Sequence, residues 1–183
     1  MPDSSHDEAI LVERAAAGAA DAFGELYQLY LDDIYRYVYY RTGDTRDAED
    51  LTEQVFLRAW EALPGYKRRG NPFTSWLYRI AHNLVVDHHR RQKSTVPILT
   101  SEEVSWVSEE PNSLERIIRA EEAAALAAAI TQLPEEQQQV IVLRFIEGRK
   151  HTEVARIIGK SEGACRIIQH RALTALSRLL SDT

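Results

Sequence analysis

Residues 151–180 read HTEVARIIGKSEGACRIIQHRALTALSRLL, and the spacing of their apolar positions predicts a short helix, a turn at residues 159–161 and a longer helix capped at Ser161-Glu162. Small residues at Ala155, Gly159 and Gly163 permit the close helix approach that a helix-turn-helix needs. On the second helix Cys165, Ile168, Ala172, Leu176 and Leu179 fall on one stripe, which turns Arg166, Ile167, His170, Arg171 and Thr174 outward. A plain helical hairpin would share the stripe, but it would leave this outward face without a purpose. Arginine there can make a bidentate contact to guanine O6 and N7, and Ile167 can meet a thymine methyl. Lys150, Lys160 and the backbone N–H groups near the turn suit phosphate.

Working backward, apolar residues keep recurring at three- and four-residue intervals, and no convincing stretch alternates with period two. An amphipathic, tyrosine-rich helix is predicted over residues 21–41, ended by Thr42-Gly43. Asp44 or Thr45 can cap a second helix, with Leu51, Val55, Phe56, Ala59 and Leu63 inward and Pro64-Gly65 at its end. A third starts near Phe73. Residues 113–133 return to helix through an alanine-rich run, and Pro134, Glu135 and Glu136 open another that reaches Glu147 and Gly148. Between them, residues 96–112 are polar and acidic with Pro97 and Pro111, which reads as a flexible linker. The expected architecture is all-α, with two small helical domains at residues 21–95 and 113–183, and a tail with a short helix over residues 1–20.

The stretch over residues 67–93, KRRGNPFTSWLYRIAHNLVVDHHRRQK, is basic and aromatic and holds one acid, Asp87, in a chain of formal net charge −6. Basic groups hold phosphates and rings stack on unpaired bases, so this composition suits opened nucleic acid; a solvated basic face over a packed aromatic core is the simpler alternative. Helical projection places Phe73, Leu77, Ile80, Ala81 and Leu84 on a buried stripe. Arg79, Asn83, Val86 and Arg90 face away, flanked by Tyr78, His82 and His89 on one side and Trp76 and Asp87 on the other. His82 and His89 stand about 10 Å apart along such a helix, too far to share an ion, so no metal site and no cofactor is expected.

Length and composition bound the rest. With 183 residues and 44% apolar side chains, one medium or two small cores can form. Residues 1–95 carry 15 acids and 12 bases, residues 96–133 carry 7 and 2, and residues 134–183 carry 6 and 8, so acidity gathers around the linker. No run of 18 apolar residues exists and the N-terminus lacks an export signal, which leads us to expect a cytoplasmic protein not inserted in a membrane. The single cysteine, Cys165, cannot form an internal disulfide and fits a reducing compartment.

Four segments in order, DAEDLTEQVFLRAWEAL, PFTSWLYRIAHNLVVDHHRR, LPEEQQQVIVLRFIEG and the helix-turn-helix ending SEGACRIIQHRAL, resemble the signature segments of bacterial RNA polymerase sigma factors of the extracytoplasmic-function group. The resemblance covers about residues 21–95 and 113–180. It implies a protein, not an enzyme, that binds core polymerase, recognises promoters and helps open them. Residues 47–63 resemble the surface that docks on the clamp helices of the largest polymerase subunit, with Asp50, Glu53, Gln54, Leu57 and Trp60 as candidates. The loop at residues 67–74 resembles one that holds a flipped minus-ten base, which puts Asn71, Phe73, Ser75 and Trp76 near that pocket and Arg79, Asn83, Arg90 and Arg91 on the strand.

The same resemblance gives the minus-thirty-five element to Lys150, Lys160, Ser161, Arg166, Ile167, His170 and Arg171, and implies further partners in the polymerase flap region and an anti-sigma factor. Its acidic linker would mimic phosphates in the polymerase cleft, or act as a plain spacer. Lys150 stands where a serine cap is common, Lys160 where an apolar residue is usual and Cys165 where valine is common. These departures put borrowed promoter sequences in doubt. The rival from another class is a stand-alone helix-turn-helix regulator that needs no polymerase. A hydrolase built on His82, His88 and Asp87 is more distant, because those side chains do not converge.

Overall fold

The structure is a computed structural model that describes residues 4–67, 72–94 and 113–181. The expected linker and Asn71 lie outside these residues. Among the described residues eight α-helices follow one another: α1 Ser4–Ala16, α2 Ala20–Thr42, α3 Thr45–Ala62, α4 Phe73–Ser94, α5 Ser113–Thr131, α6 Glu135–Ile141, α7 His151–Ile158 and α8 Glu162–Ser181. None of them is long and apolar enough to cross a membrane.

Helix ends follow from local chemistry. Gly43 takes φ 73°, a left-handed conformation that closes α2 with its N–H on the Tyr39 carbonyl. The Asp44 carboxylate then accepts the Asp47 N–H at 2.9 Å and starts α3, so Asp44 and not Thr45 is the cap. Buried residues on α2 recur as Leu26, Tyr30, Ile34, Tyr37, Val38 and Arg41, the three- and four-residue steps of one helix face. Against them pack Leu51, Val55 and Phe56 of α3 and Leu77, Ala81, Leu84 and Val85 of α4. Each such aliphatic side chain taken fully from water contributes about 1.5–3 kcal/mol.

The C-terminal unit is built on Ile130, Leu133, Val140, Val154, Ile157, Cys165, Ala172 and Leu176, all buried. The predicted helix over 135–147 is regular only to Ile141. From Val142 to Ile146 it widens into a π turn, with Glu147 N–H donating to the Val142 carbonyl at 2.9 Å. Gly148 at φ 63° lets the chain leave that turn. A single wide turn rotates everything after it, which brings Glu147 and Arg149 onto α2.

The two units are not held apart. α5 lies along α2 and α7 along α4, and buried residues of both units form one continuous apolar cluster. Polar contacts cross the seam as well. Arg149 Nη2 donates to Asp33 at 2.8 Å and to the Tyr78 hydroxyl at 3.3 Å, while Arg36 pairs with Glu147 at 3.2 Å. Tyr78, expected on the flank of an outward face, is therefore 1% exposed, since the second unit covers it. Its ring meets Tyr37 edge-on at 5.1 Å.

Candidate nucleic-acid interface

The helix-turn-helix is formed by α7, a turn closed by Gly159 at φ 69°, and α8. Ser161 Oγ accepts the Ala164 N–H at 3.2 Å and begins α8. Cys165, Ala172 and Leu176 are buried, while Arg166, Ile167, His170 and Arg171 are exposed, Ile167 by 56%. Side chains behind the motif fix the pose of α8: Gln169 Oε1 lies 2.9 Å from His151 Nε2 and accepts from Arg144 Nε at 3.4 Å. The exposed row is thus presented from a helix tied at its back.

The two lysines of the motif differ. Lys150 precedes α7, and its ammonium has no acceptor with which to cap the helix. Glu153 compensates in part by accepting the Lys150 backbone N–H at 2.9 Å, which leaves the side chain exposed. Lys160 Nζ is paired with Glu136 at 2.8 Å. Glu136 is 60% exposed, so the pair is weak and solvent-screened.

On α4, Arg79, Asn83, Arg90 and Arg91 are exposed. Arg79 is engaged, donating to the Arg156 carbonyl of α7 at 2.8 Å, so the second unit covers part of this row. Trp76 is half-buried in a ring cluster with Tyr66 at 4.9 Å and Phe73 at 5.5 Å. Phe73 and Ser75, expected near the base pocket, are each 3% exposed. Phe73 also meets Tyr30, because the start of α4 is wedged against α2, so both side chains are packed away from solvent.

The three histidines of α4 point to different partners. His88 Nε2 lies 3.0 Å from Asp47. His82 Nε2 lies 3.3 Å from Glu135 and its Nδ1 lies 2.9 Å from Arg41 Nη1. Guanidinium only donates, so Nδ1 must be the acceptor and the proton of neutral His82 sits on Nε2. Burial first, then the Arg41 charge, pushes the His82 pKa down to about 4, against the pull of Glu135. His89 is lowered in the same direction, again chiefly by burial. No group of three or more His, Cys, Asp or Glu side chains converges among the described residues.

A third surface lies on α3. Asp50, Glu53, Gln54 and Leu57 are exposed along one face, Leu57 by 58%. Trp60 is half-buried against Phe23 at 4.9 Å. Together Ala20, Phe23, Tyr27, Phe56, Leu57 and Trp60 line an open apolar hollow on the helix that also carries the exposed Asp50 and Glu53. Sequence reasoning named four of the α3 face and Trp60, but missed Phe23 and Tyr27, which α2 supplies from about 30 positions away. It also missed Asp33, Arg36, Glu147 and Arg149, whose partners lie across the seam, and Arg41, whose partners are Tyr37 and His82.

Comparison with known proteins agrees with this arrangement. Residues 26–95 match the family description "Sigma-70 region 2" and residues 129–178 match "Sigma-70, region 4". The chain is 42% identical over 172 residues to the ECF RNA polymerase sigma factor BldN of Streptomyces coelicolor, covering 94% of this chain and 65% of that protein. It therefore spans slightly under two thirds of that relative. It is 32% identical to the ECF RNA polymerase sigma factor SigD of Mycobacterium tuberculosis, covering 91% of this chain and 80% of that one. Among solved structures, CnrH in complex with the cytosolic domain of CnrY superposes with a TM-score of 0.72 at 27% identity, covering 94% and 96% of the two chains. The chain belongs to the ECF RNA polymerase sigma factors.

Proposed function

We propose that the chain binds core RNA polymerase, directs it to specific promoters and promotes opening of the DNA for transcription initiation. The observation that carries the reading is the exposed row Arg166, Ile167, His170 and Arg171 on a helix whose other side is packed and tied. That row reads the minus-thirty-five element in the major groove, with Ser161, Lys150 and Lys160 at the phosphates. Trp76, Arg79, Asn83, Arg90 and Arg91, with Asn71 in the preceding loop, hold the opened minus-ten strand. Phe73 and Ser75, both buried, support that surface from beneath.

Asp50, Glu53, Gln54, Leu57 and Trp60 take the polymerase clamp helices, where mixed apolar and acidic groups suit a coiled-coil partner. The second unit meets the flap region. The chain itself performs no chemistry; opening becomes favourable because the displaced strand is bound and the closed duplex is not. The acidic residues 96–112 join the units and, in a basic cleft, stand in for phosphates. A restraining anti-sigma protein is expected too; CnrH, to which this chain is similar, is solved in complex with the cytosolic domain of CnrY.

The packed arrangement has a consequence for this function. Elements about 25 base pairs apart are separated by roughly 85 Å of duplex at 3.4 Å per pair, whereas a folded body of this length is roughly 40 Å across. Both surfaces cannot reach their elements while α7 lies on α4, so the units separate when polymerase and promoter are bound. Footprinting tests the reading: protection of the minus-ten non-template strand is expected only with core polymerase present. Tight, specific protection of duplex by the chain alone would favour the stand-alone regulator.

A further inference from the structure

Arg41 closes α2 and is 0% exposed, yet no carboxylate among the described residues pairs with it. Its Nη1 donates to the Tyr37 hydroxyl at 2.8 Å and to His82 Nδ1 at 2.9 Å, and its carbon lies 5.3 Å from the Tyr37 ring centroid. The remaining two nitrogens, Nε and Nη2, are buried without a partner. These form the side-on edge of the guanidinium, the parallel N–H pair that grips a carboxylate or phosphate with two bonds. Leaving that edge dry and unmet is costly, which marks a group whose counter-ion is absent from this arrangement.

The second unit packs against the residues around Arg41. A Cβ on Gly43, two positions away, would lie 3.3 Å from Thr131 Cγ2, Glu135 reaches His82, and Gln139 lies beside the Tyr37 hydroxyl. Beside it, Thr42, His89, Arg90 and Lys93 line a groove completed by residues 131–135 and Gln138. Removing residues 131–139 would open Arg41 to solvent between α2 and α4. It would then stand next to His82, one turn along α4 from Arg79 and on the side that carries Arg90 and Lys93. The acid that α4 itself carries, Asp87, is paired with Arg90 at 3.6 Å.

We propose that Arg41 is a phosphate ligand of promoter DNA, masked by the second unit in the closed chain and uncovered when the units separate. The inference rests on the sigma reading above and adds a contact from α2 to the row on α4. A backbone phosphate offers two oxygens to the Nε and Nη2 edge, while Tyr37 and His82 hold Nη1 and so orient the fork in advance. The basic surroundings favour a nucleic acid over an acidic protein segment as the occupant.

The test uses holoenzyme assembled from core polymerase and the full chain, with promoter binding measured against salt for wild type, Arg41→Gln and Arg41→Lys. Losing one phosphate contact flattens the plot of log K against log salt by about 0.9; we expect this for Arg41→Gln and a retained slope for Arg41→Lys. Methylphosphonate substitution along the promoter, crossed with Arg41→Lys, should show coupling at one phosphate. The cross keeps the proposal testable even if Arg41→Gln folds poorly. An unchanged slope together with no coupled phosphate overturns it, and weakened core binding with an unchanged slope assigns Arg41 to a polymerase carboxylate instead. If wild-type holoenzyme forms no specific promoter complex, the sigma reading itself fails and Arg41 falls with it.

Discussion

Arg149 Nη2 donates to the Asp33 carboxylate at 2.8 Å across 116 positions of chain, joining the segment before α7 to the middle of α2. The two side chains are 21% and 29% exposed, so the bond is shielded from solvent but not deeply buried. Beside it Arg36 meets Glu147, whose side chain is 1% exposed. Burial raises the Glu147 pKa against the opposing Arg36 charge. This clasp, with the apolar seam under it, holds the units together.

We expect Arg149→Ala to shift the chain toward an open form, seen as a larger radius of gyration by small-angle scattering. A double-mutant cycle with Asp33→Asn should return a coupling of about 1 kcal/mol. Because the proposed function needs the open form at the promoter, apparent affinity of the assembled holoenzyme for promoter, and core binding where it is coupled to opening, should rise as that population rises. Unchanged scattering together with unchanged core affinity would mean that the clasp does not hold the seam.

Stability should fall in acid through His82. Its ordinary pKa near 6.5 drops to about 4 in the folded chain, so between those values the unfolded chain binds more protons. The stability is therefore full above pH 6.5 and is lost as pH falls through 6.5 toward 4, by about 1–2 kcal/mol between pH 7 and pH 5. Protonation would also put a donor on Nδ1 against Arg41 Nη1. His82→Asn, whose carbonyl oxygen can accept from Arg41, should flatten this part of the pH profile in chemical denaturation. A profile parallel to wild type would sink the assignment.

On α8, Arg166→Ala and Arg171→Ala should each weaken recognition of the upstream element by about 1–3 kcal/mol if each contact is bidentate. Core polymerase binding should stay as it was. Pull-down with core polymerase alongside promoter binding separates the two, and an equal loss in both assays would contradict the division of labour.

Leu57→Ala and Trp60→Ala should do the reverse. Both line the apolar hollow shared by α2 and α3, and interface anchors of this kind cost about 1–2 kcal/mol or more when truncated. Competition binding to core polymerase checks this. Leu57, being 58% exposed, should change the melting temperature little, whereas Trp60 also packs on Phe23 and should lower it somewhat.

Local signals make much of this fold legible in the amino-acid sequence. The stripe from Cys165 to Leu176 marks the buried side of α8, Gly43 marks a helix stop and Asp44 a helix start, since each depends on residues a few positions apart. The exposed rows on α4 and α8 follow from the same periodicity. Tyr78 is misplaced by projection because projection treats a helix as if one domain were its whole surroundings. The π turn after Ile141 shifts the helical phase within a run, Val142–Ile146, that is apolar at every position but Arg144, so the pattern carries little trace of it. Arg41 reads as an ordinary helix-ending base; only the fold reveals that residues 131–139 pack against the residues around it.

Run-off transcription with core polymerase and a genomic fragment library tests the central claim most directly. With the chain present, defined transcripts should appear from particular promoters, and Arg166→Ala with Arg171→Ala should reduce them while polymerase still binds the chain. If no fragment yields a defined start at any salt, and the chain alone binds duplex tightly and specifically, this protein does not act as a sigma factor.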